Sequence, residues 1–435
     1  MTNISSPRPA ARLARQLALA VALASGTALV GVPGLVDAAH AQKKKKDDKA
    51  EAAKPVYSKE FVAAYQPLDT ALKAPGADAA ALKPQVLALV PLAVSADEKM
   101  ALGSLVLNTG ITSKDLPLQL QGVEMMLASG KVKPEELGRF NLIGFQLSNE
   151  LKQYDKARDY LQRAIDLNYS GPNVTTADLQ MNLAELYFAE DRHAEGLKYL
   201  SDVIADQRWY KRAVSVAYTN EVVPQVYEFV KAWVADYPAP ENWRDAVNLT
   251  RNLNEFDGPV LLDLLRLGKE VGTLKEKNDY IFYIESADPR RLPSEVKAVI
   301  EEANATGAIP KGSDSWVEEQ YKTVTGLVAQ DRAALPSLER DANAPAAKLR
   351  TILAAGDTFL SYGEYAKAAG FYERSLALPE VDRNLALTRL GIAQIGAGDV
   401  EAARATFAKV EGQRAPIAML WSAYAEQRAG AASGG

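Results

Sequence analysis

Nucleophilic and metal-dependent chemistry both draw on a short list of side chains, and this chain is nearly empty of two of them. It contains no cysteine and two histidines, His40 and His193. Zero cysteine excludes disulfides, thiol nucleophiles and Cys-ligated metals. His40 falls within an N-terminal stretch that reads as a leader, which leaves His193 alone. One imidazole without a second His or a Cys makes neither a zinc site nor a Ser-His nucleophile system. Its position in a turn between two helical segments suits packing. No Gly-rich phosphate loop of the G-x-x-x-x-G-K-[ST] kind is present, and no G-x-G-x-x-G follows a strand. The acidic pairs Glu301-Glu302 and Glu318-Glu319 are sequence neighbours. On a helix they point about 100° apart, as a solvated face does. Two carboxylates from separate elements can still make a hydrolase, but nothing marks out such a pair. The residues call for no catalytic group, metal or cofactor.

The elements carry more information than the reactive residues. The stretch 349–414 matches itself when shifted by 35 residues. Gly356 falls on Gly391, Gly363 on Gly398, Ala368 on Ala403 and Tyr372 on Phe407. A fixed period in this range means stacked supersecondary units that cannot bury their apolar faces alone. Gly356 and Ala368 are small where two helices must approach. Tyr372 and Phe407 are large where neighbouring pairs leave space. Gly363 and Gly398 fall at the ends of first helices, where a left-handed residue commonly stops the helix.

The unit resembles a tetratricopeptide repeat. The first copy supplies Ala355-Gly356, Phe359, Gly363, Tyr365, Ala368, Tyr372 and Pro379. The second supplies Leu390-Gly391, Gln394, Gly398, Val400, Ala403, Phe407 and Pro416. Gln394 replaces an aromatic, and neither copy has the leading Trp. The same frame fits upstream. Phe140, Ile143-Gly144 and Leu147 precede Tyr154, Ala157, Leu161 and Ala164, and Leu183-Ala184 and Tyr187 precede Gly196 and Leu200. Tyr210, Ala213 and Ala217 precede Val226, Val230 and Trp233. Trp243, Ala246 and Thr250 open a unit whose second half, from Pro259, departs from the pattern. Tyr283, Ala287, Val296 and Ile300 form a degenerate unit. No strand alternation is convincing.

The resemblance implies an all-α fold, an α-solenoid of antiparallel helix pairs wound as a right-handed superhelix, with about seven pairs. The expected organisation is a signal peptide over 1–41, a disordered Lys-rich linker over 42–54, and N-terminal helical pairs over 55–133. Repeats follow over 134–306, then an irregular helical joint over 307–347, in which 316–342 reads as a longer helical pair. Two strong repeats occupy 348–415, and 416–435 forms a C-terminal cap helix and tail.

The leader reading rests on Arg8, Arg12 and Arg15, an uncharged stretch from Leu17 to Val36, and the small-x-small triplet Ala39-His40-Ala41. Cleavage is expected between Ala41 and Gln42, with delivery to the periplasm of a bacterial cell. A leader kept as a membrane anchor is the alternative. Removing three Arg and one Asp takes the net charge from -5 to -7. A mildly acidic protein is not a general nucleic-acid binder. Lys43, Lys44, Lys45 and Lys46 allow at most weak contact with anionic lipid.

For function, the resemblance implies binding. In tetratricopeptide repeats the ligand-facing side chains come mostly from first helices. That frame carries the role to Asn141, Phe145 and Ser148, to Met181, Glu185 and Phe188, and to Arg350, Asp357, Leu360, Thr388 and Ile392. The family's Lys/Asn clamp for C-terminal carboxylates is absent from this frame. The expected protein is a non-enzymatic scaffold of the cell envelope whose concave groove holds a protein or peptide. One rival is an accessory of an envelope polysaccharide or secretion complex, marked by an aromatic or acidic row along the groove; Trp209, Trp233 and Trp243 are the aromatic candidates, though Trp233 and Trp243 fit core frames. Another is an enzyme built on two converging carboxylates with raised pKa values.

Overall fold

The computed structural model describes residues 55–433. The leader, its cleavage site and the Lys43–Lys46 run lie outside the described residues. The described residues are helical, and the extended pairing among them is one isolated bridge, Gly171 with Val174. The helices divide into two compact units at Leu179/Gln180.

The first unit begins with α1 (Lys59–Lys73) and α2 (Ala79–Leu87), separated at Ala74-Pro75-Gly76. It continues through the hairpins α3 (Ala96–Ser113) with α4 (Leu116–Ala128), and α5 (Pro134–Glu150) with α6 (Tyr154–Asp166). Local chemistry sets the starts. Ser95 and Glu98 form a reciprocal capping box on α3, Asp115 caps α4, and α5 opens on Pro134. These groups satisfy or tolerate the N–H groups that a helix start leaves unpaired. Phe61, Tyr65, Val86, Leu102, Leu105 and Leu118 share one core.

α7 (Thr176–Ala189) crosses the division. The second unit continues with α8 (His193–Val203), α9 (Gln207–Thr219), α10 (Gln225–Asp236), α11 (Pro240–Asn252), α12 (Gly258–Glu270), α13 (Lys277–Ala287) and α14 (Pro293–Thr306). After them comes α15 (Ser315–Asn343), then α16 (Leu349–Ser361), α17 (Tyr365–Ser375), α18 (Arg383–Ala397), α19 (Val400–Phe407) and α20 (Ala415–Ser433). Within the first unit α1 to α6, and within the second α8 to α20, each helix packs on the next in sequence, which makes each unit a stack of tetratricopeptide-like helix pairs of the solenoid class.

The packing glycines do what their spacing predicts. A Cβ on Gly356 would sit 2.9 Å from the Tyr372 ring, and one on Gly391 would sit 2.5 Å from Phe407. Neither distance is compatible with van der Waals contact, so each aromatic is seated directly on the first-helix backbone.

Two regions depart from expectation. Residues 316–342 belong to one continuous helix, α15, with Pro336 inside it, where a helical pair was expected. The terminal helix is more than an end cap. α20 packs on α19 but also reaches back to α10 and α12, and α18 meets α12. The second unit therefore closes on itself. α12 and α18 become inner helices: 386–395 are all buried, as are Leu262 to Gly268. A helix covered on every side has no polar face to display, which is why the segment from Pro259 loses the repeat pattern.

Candidate functional site

Most of the first-helix positions taken from the repeat frame are interior. Asn141, Phe145, Ser148, Phe188, Asp357, Leu360, Thr388 and Ile392 are buried. Met181 and Glu185 are half-buried, and Arg350 is exposed. Glu185 is engaged by Arg212 of α9, with Oε1 2.6 Å from Nε and Oε2 2.7 Å from Nη2. Asp357 on α16 is met from α18 by Arg389, the residue after Thr388. Thr388 spends its hydroxyl on the Asn384 carbonyl, at 2.7 Å. An open groove lined by Asp357, Leu360, Thr388 and Ile392 is thus corrected: these side chains are buried, α18 meets α12, and buried Arg389 together with exposed Arg291 holds Asp357.

Arg389 belongs to a charge lattice that the repeat frame missed. Asp263 on α12 is fully buried. It accepts from Arg266 Nη1 at 3.0 Å, from Arg389 Nε at 3.2 Å, and from Arg414 Nη1 at 2.5 Å. Arg389 Nη1 also donates to Asp357 at 2.7 Å, and Asp357 accepts from Tyr372 at 2.6 Å and from Arg291. Arg266 is bidentate on Glu295, at 2.8 and 2.7 Å, and Tyr283 donates to the same carboxylate at 2.8 Å. Burial pushes the Asp263 carboxyl up, but Arg389, Arg266 and Arg414 outweigh it and hold it below the ordinary carboxylate range. Burial and its arginines act on Asp357 and Glu295 in the same opposing senses, with the same net lowering. Trp421 Nε1 on α20 donates to the Asp263 carbonyl at 2.9 Å.

A carboxylate held ionised by arginine is a poor general acid, and a base with its lone pairs occupied has little to offer a substrate. Asp263, Asp357 and Glu295 thus differ from the raised-pKa carboxylates that the hydrolase reading looks for. The lattice instead links α12, α14, α16 and α18 with the turn at 412–414. Any other register would leave charges unpaired in the interior, at a cost of several kcal/mol each. A signal was available in the sequence. Asp263 and Arg266 stand three residues apart inside the apolar run Pro259–Gly268. Opposite charges at that spacing in an otherwise apolar helix mark a buried pair.

The three tryptophans named as an aromatic row, Trp209, Trp233 and Trp243, are all buried and serve the core. His193 packs its ring 6.2 Å from Phe188, consistent with its turn position.

One open concavity in the second unit is a cleft of about 520 Å³ between α8 and α10, backed by the start of α9. Leu197, Phe229 and Tyr210 form its apolar wall, and Lys198, Gln225 and Glu228 stand at its polar rim. The wall residues are buried while Lys198 and Glu228 are exposed. The Tyr210 hydroxyl donates to Asp236, and burial with that carboxylate raises its pKa above the ordinary phenol value. An apolar wall with a few polar groups at its rim suits an apolar side chain carried on a polar backbone.

No protein-family model matches the chain, and no curated protein matches it. Among solved structures it is similar to the crystal structure of the APC/C hetero-tetramer Cut9-Hcn1. Identity is 12%, covering 77% of this chain and 68% of that one, with a TM-score of 0.21. The fold rests on the chain's own helices and their packing.

Proposed function

We propose that this chain is a non-enzymatic adaptor of the bacterial periplasm that holds a protein or peptide partner of the cell envelope. The partner seats an apolar side chain in the cleft between α8 and α10. The cleft carries the reading, because it remains open where the first-helix faces of α16 and α18 are buried. Lys198 on one wall and Glu228 on the other can meet the backbone or flanking charges of an extended segment. The periplasmic destination is supported by the leader features of 1–41.

The test is affinity capture from envelope extract with protein beginning at Gln42, alongside the rim variants Lys198→Glu and Glu228→Lys. Both positions are exposed, so helix content by circular dichroism should match the parent. A partner retained by the parent and lost by both variants supports the reading. Recovery of free protein alone, or of a partner held equally by all three, counts against it.

A further inference from the structure

Two channels flank α10. The cleft lies on the side of α8, where α10 contributes Gln225, Glu228, Phe229 and Ala232. On its other side α10 meets α20. There Lys231 Nζ stands 3.4 Å from Glu426, and the Val234 carbonyl accepts from Gln427 Nε2 at 2.7 Å. At about 100° per residue, positions 225, 228, 229 and 232 share one flank of a helix and positions 231 and 234 the other. Val226, Val230 and Trp233 lie between the flanks on the inner side and are buried. The same helix α20 rests on α12, where Trp421 Nε1 donates to the Asp263 carbonyl at 2.9 Å and the Tyr424 hydroxyl to Glu270 at 3.3 Å. α20 therefore lies along α10 and α12 at once.

α8, α10 and α12 alternate along the chain with α9 and α11. The α8–α10 cleft and the α10–α12 groove are therefore equivalent channels one step apart in the stack. The chain covers the second with its own terminal helix, and among the described residues no helix covers the first. The covered channel shows what such a channel accepts. α20 brings one large anchor, Trp421, with Ile417, Ala418 and Ala425 buried about one turn to either side. Small residues beside a large one let a helix settle close to the two beneath it. Glu426 and Gln427 meet α10 at the polar margin. The open cleft has the matching parts, an apolar wall of Leu197, Phe229 and Tyr210 and a rim of Lys198, Gln225 and Glu228. α20 of a second copy is not free to enter it, because that helix is buried in its own channel. The occupant is then a helix of a different protein.

We infer that the partner enters the α8–α10 cleft as an amphipathic helix, lying along α8 and α10 as α20 lies along α10 and α12. It carries one large apolar anchor with small residues about one turn away. The rim alone admits an extended segment, and the covered channel is what favours a helix. The inference rests on the reading of the cleft as the partner site. The probe is a fluorescent peptide with the sequence of residues 416–430, stapled into a helix. Its counterpart carries Met419→Pro and Ser422→Pro and cannot be helical. Each is titrated by fluorescence anisotropy into protein beginning at Gln42 and into its Ala194→Arg variant. Ala194 lines the cleft and is exposed, so the arginine obstructs the mouth and the variant should keep the parent's helix content. The parent should bind the stapled peptide, and both the proline form and the Ala194→Arg variant should weaken binding about tenfold or more. Equal binding of the two peptides overturns the inference. So does no binding of the stapled peptide, or stapled binding unchanged in Ala194→Arg, which would put the peptide outside the cleft. The cleft reading fails separately: it falls if envelope capture ignores both rim substitutions, whatever the peptides do.

Discussion

Arg389 is the residue on which the second unit's interior turns. Its guanidinium bridges Asp263 of α12 and Asp357 of α16 with 2% of the side chain exposed. Burial disfavours its charge, but the two carboxylates outweigh that and raise its pKa. Removing one partner from a buried ion pair strands the other, so Arg389→Met should cost about 3–5 kcal/mol. The same residue governs the acid response. Asp263, Asp357 and Glu295 have folded-state pKa values below their unfolded ones. Their contribution is therefore complete above the unfolded carboxylate range near pH 4. It is lost as pH falls through the folded values. In the Met variant burial acts on Asp263 and Asp357 with less opposition, their pKa values rise, and acid unfolding moves to higher pH. Circular dichroism followed from neutral to acid pH checks this, and an unchanged midpoint would sink the argument. Little of it was legible beforehand. The frame treats Asp357 as a first-helix surface residue, and only the approach of α12 and α18, more than a hundred residues apart, makes it an interior one.

At the scale of the element, the helical hairpins share a turn that their sequences conceal. Gly363 and Gly398 take left-handed backbone after α16 and α18, at φ 73° and 88°. Lys114, Lys152, Asp191 and Glu221 take the corresponding position after α3, α5, α7 and α9, with φ between 52° and 60°. In each case the next amide donates back across the turn. Examples are Gln153 N to Ser148 O at 2.8 Å and Glu364 N to Phe359 O at 2.9 Å. This is the Schellman pattern, for which glycine is the usual residue. A side chain at left-handed φ costs roughly 1–2 kcal/mol, part of which glycine returns as unfolded-state freedom. Lys152 is exposed. Lys152→Gly should therefore stabilise the first unit by about 0.5–1 kcal/mol. A higher urea midpoint with an unchanged slope would show it, and a lower midpoint would mean that the side chain contributes something the turn geometry does not reveal.

On the scale of the whole second unit, α20 makes the difference between a row of hairpins and a closed body. Ile417, Leu420, Trp421 and Ala425 are buried on a helix that packs against α10 and α12 as well as α18 and α19. Trp421 stacks on Phe407 at 6.4 Å and donates to the Asp263 carbonyl. Replacing a buried tryptophan by alanine costs about 3–5 kcal/mol, so Trp421→Ala should lower thermal stability severely. Trp421→Phe keeps most of the apolar area and gives up the hydrogen bond, for a loss nearer 1 kcal/mol. If the alanine variant melted with the parent, α20 would be an accessory at the end of the array and not its closure.

The sequence by itself determined most of the helices and their hairpin pairing, the continuous α15 excepted. A first-helix glycine facing a second-helix aromatic 16 residues on, as with Gly356 and Tyr372, describes one local contact, and local contacts repeat with the chain. It also determined the ends of helices, because caps such as Asp382 and Gly398 act on neighbouring backbone. Tertiary structure alone decided which faces stay open. Solvent exposure at Thr388 or Ile392 depends on whether α12 arrives, and that depends on the summed rotation of every intervening pair. Small rotations per repeat leave no mark in any single repeat, yet together they fold the C-terminal pairs inward and leave the cleft between α8 and α10 facing out.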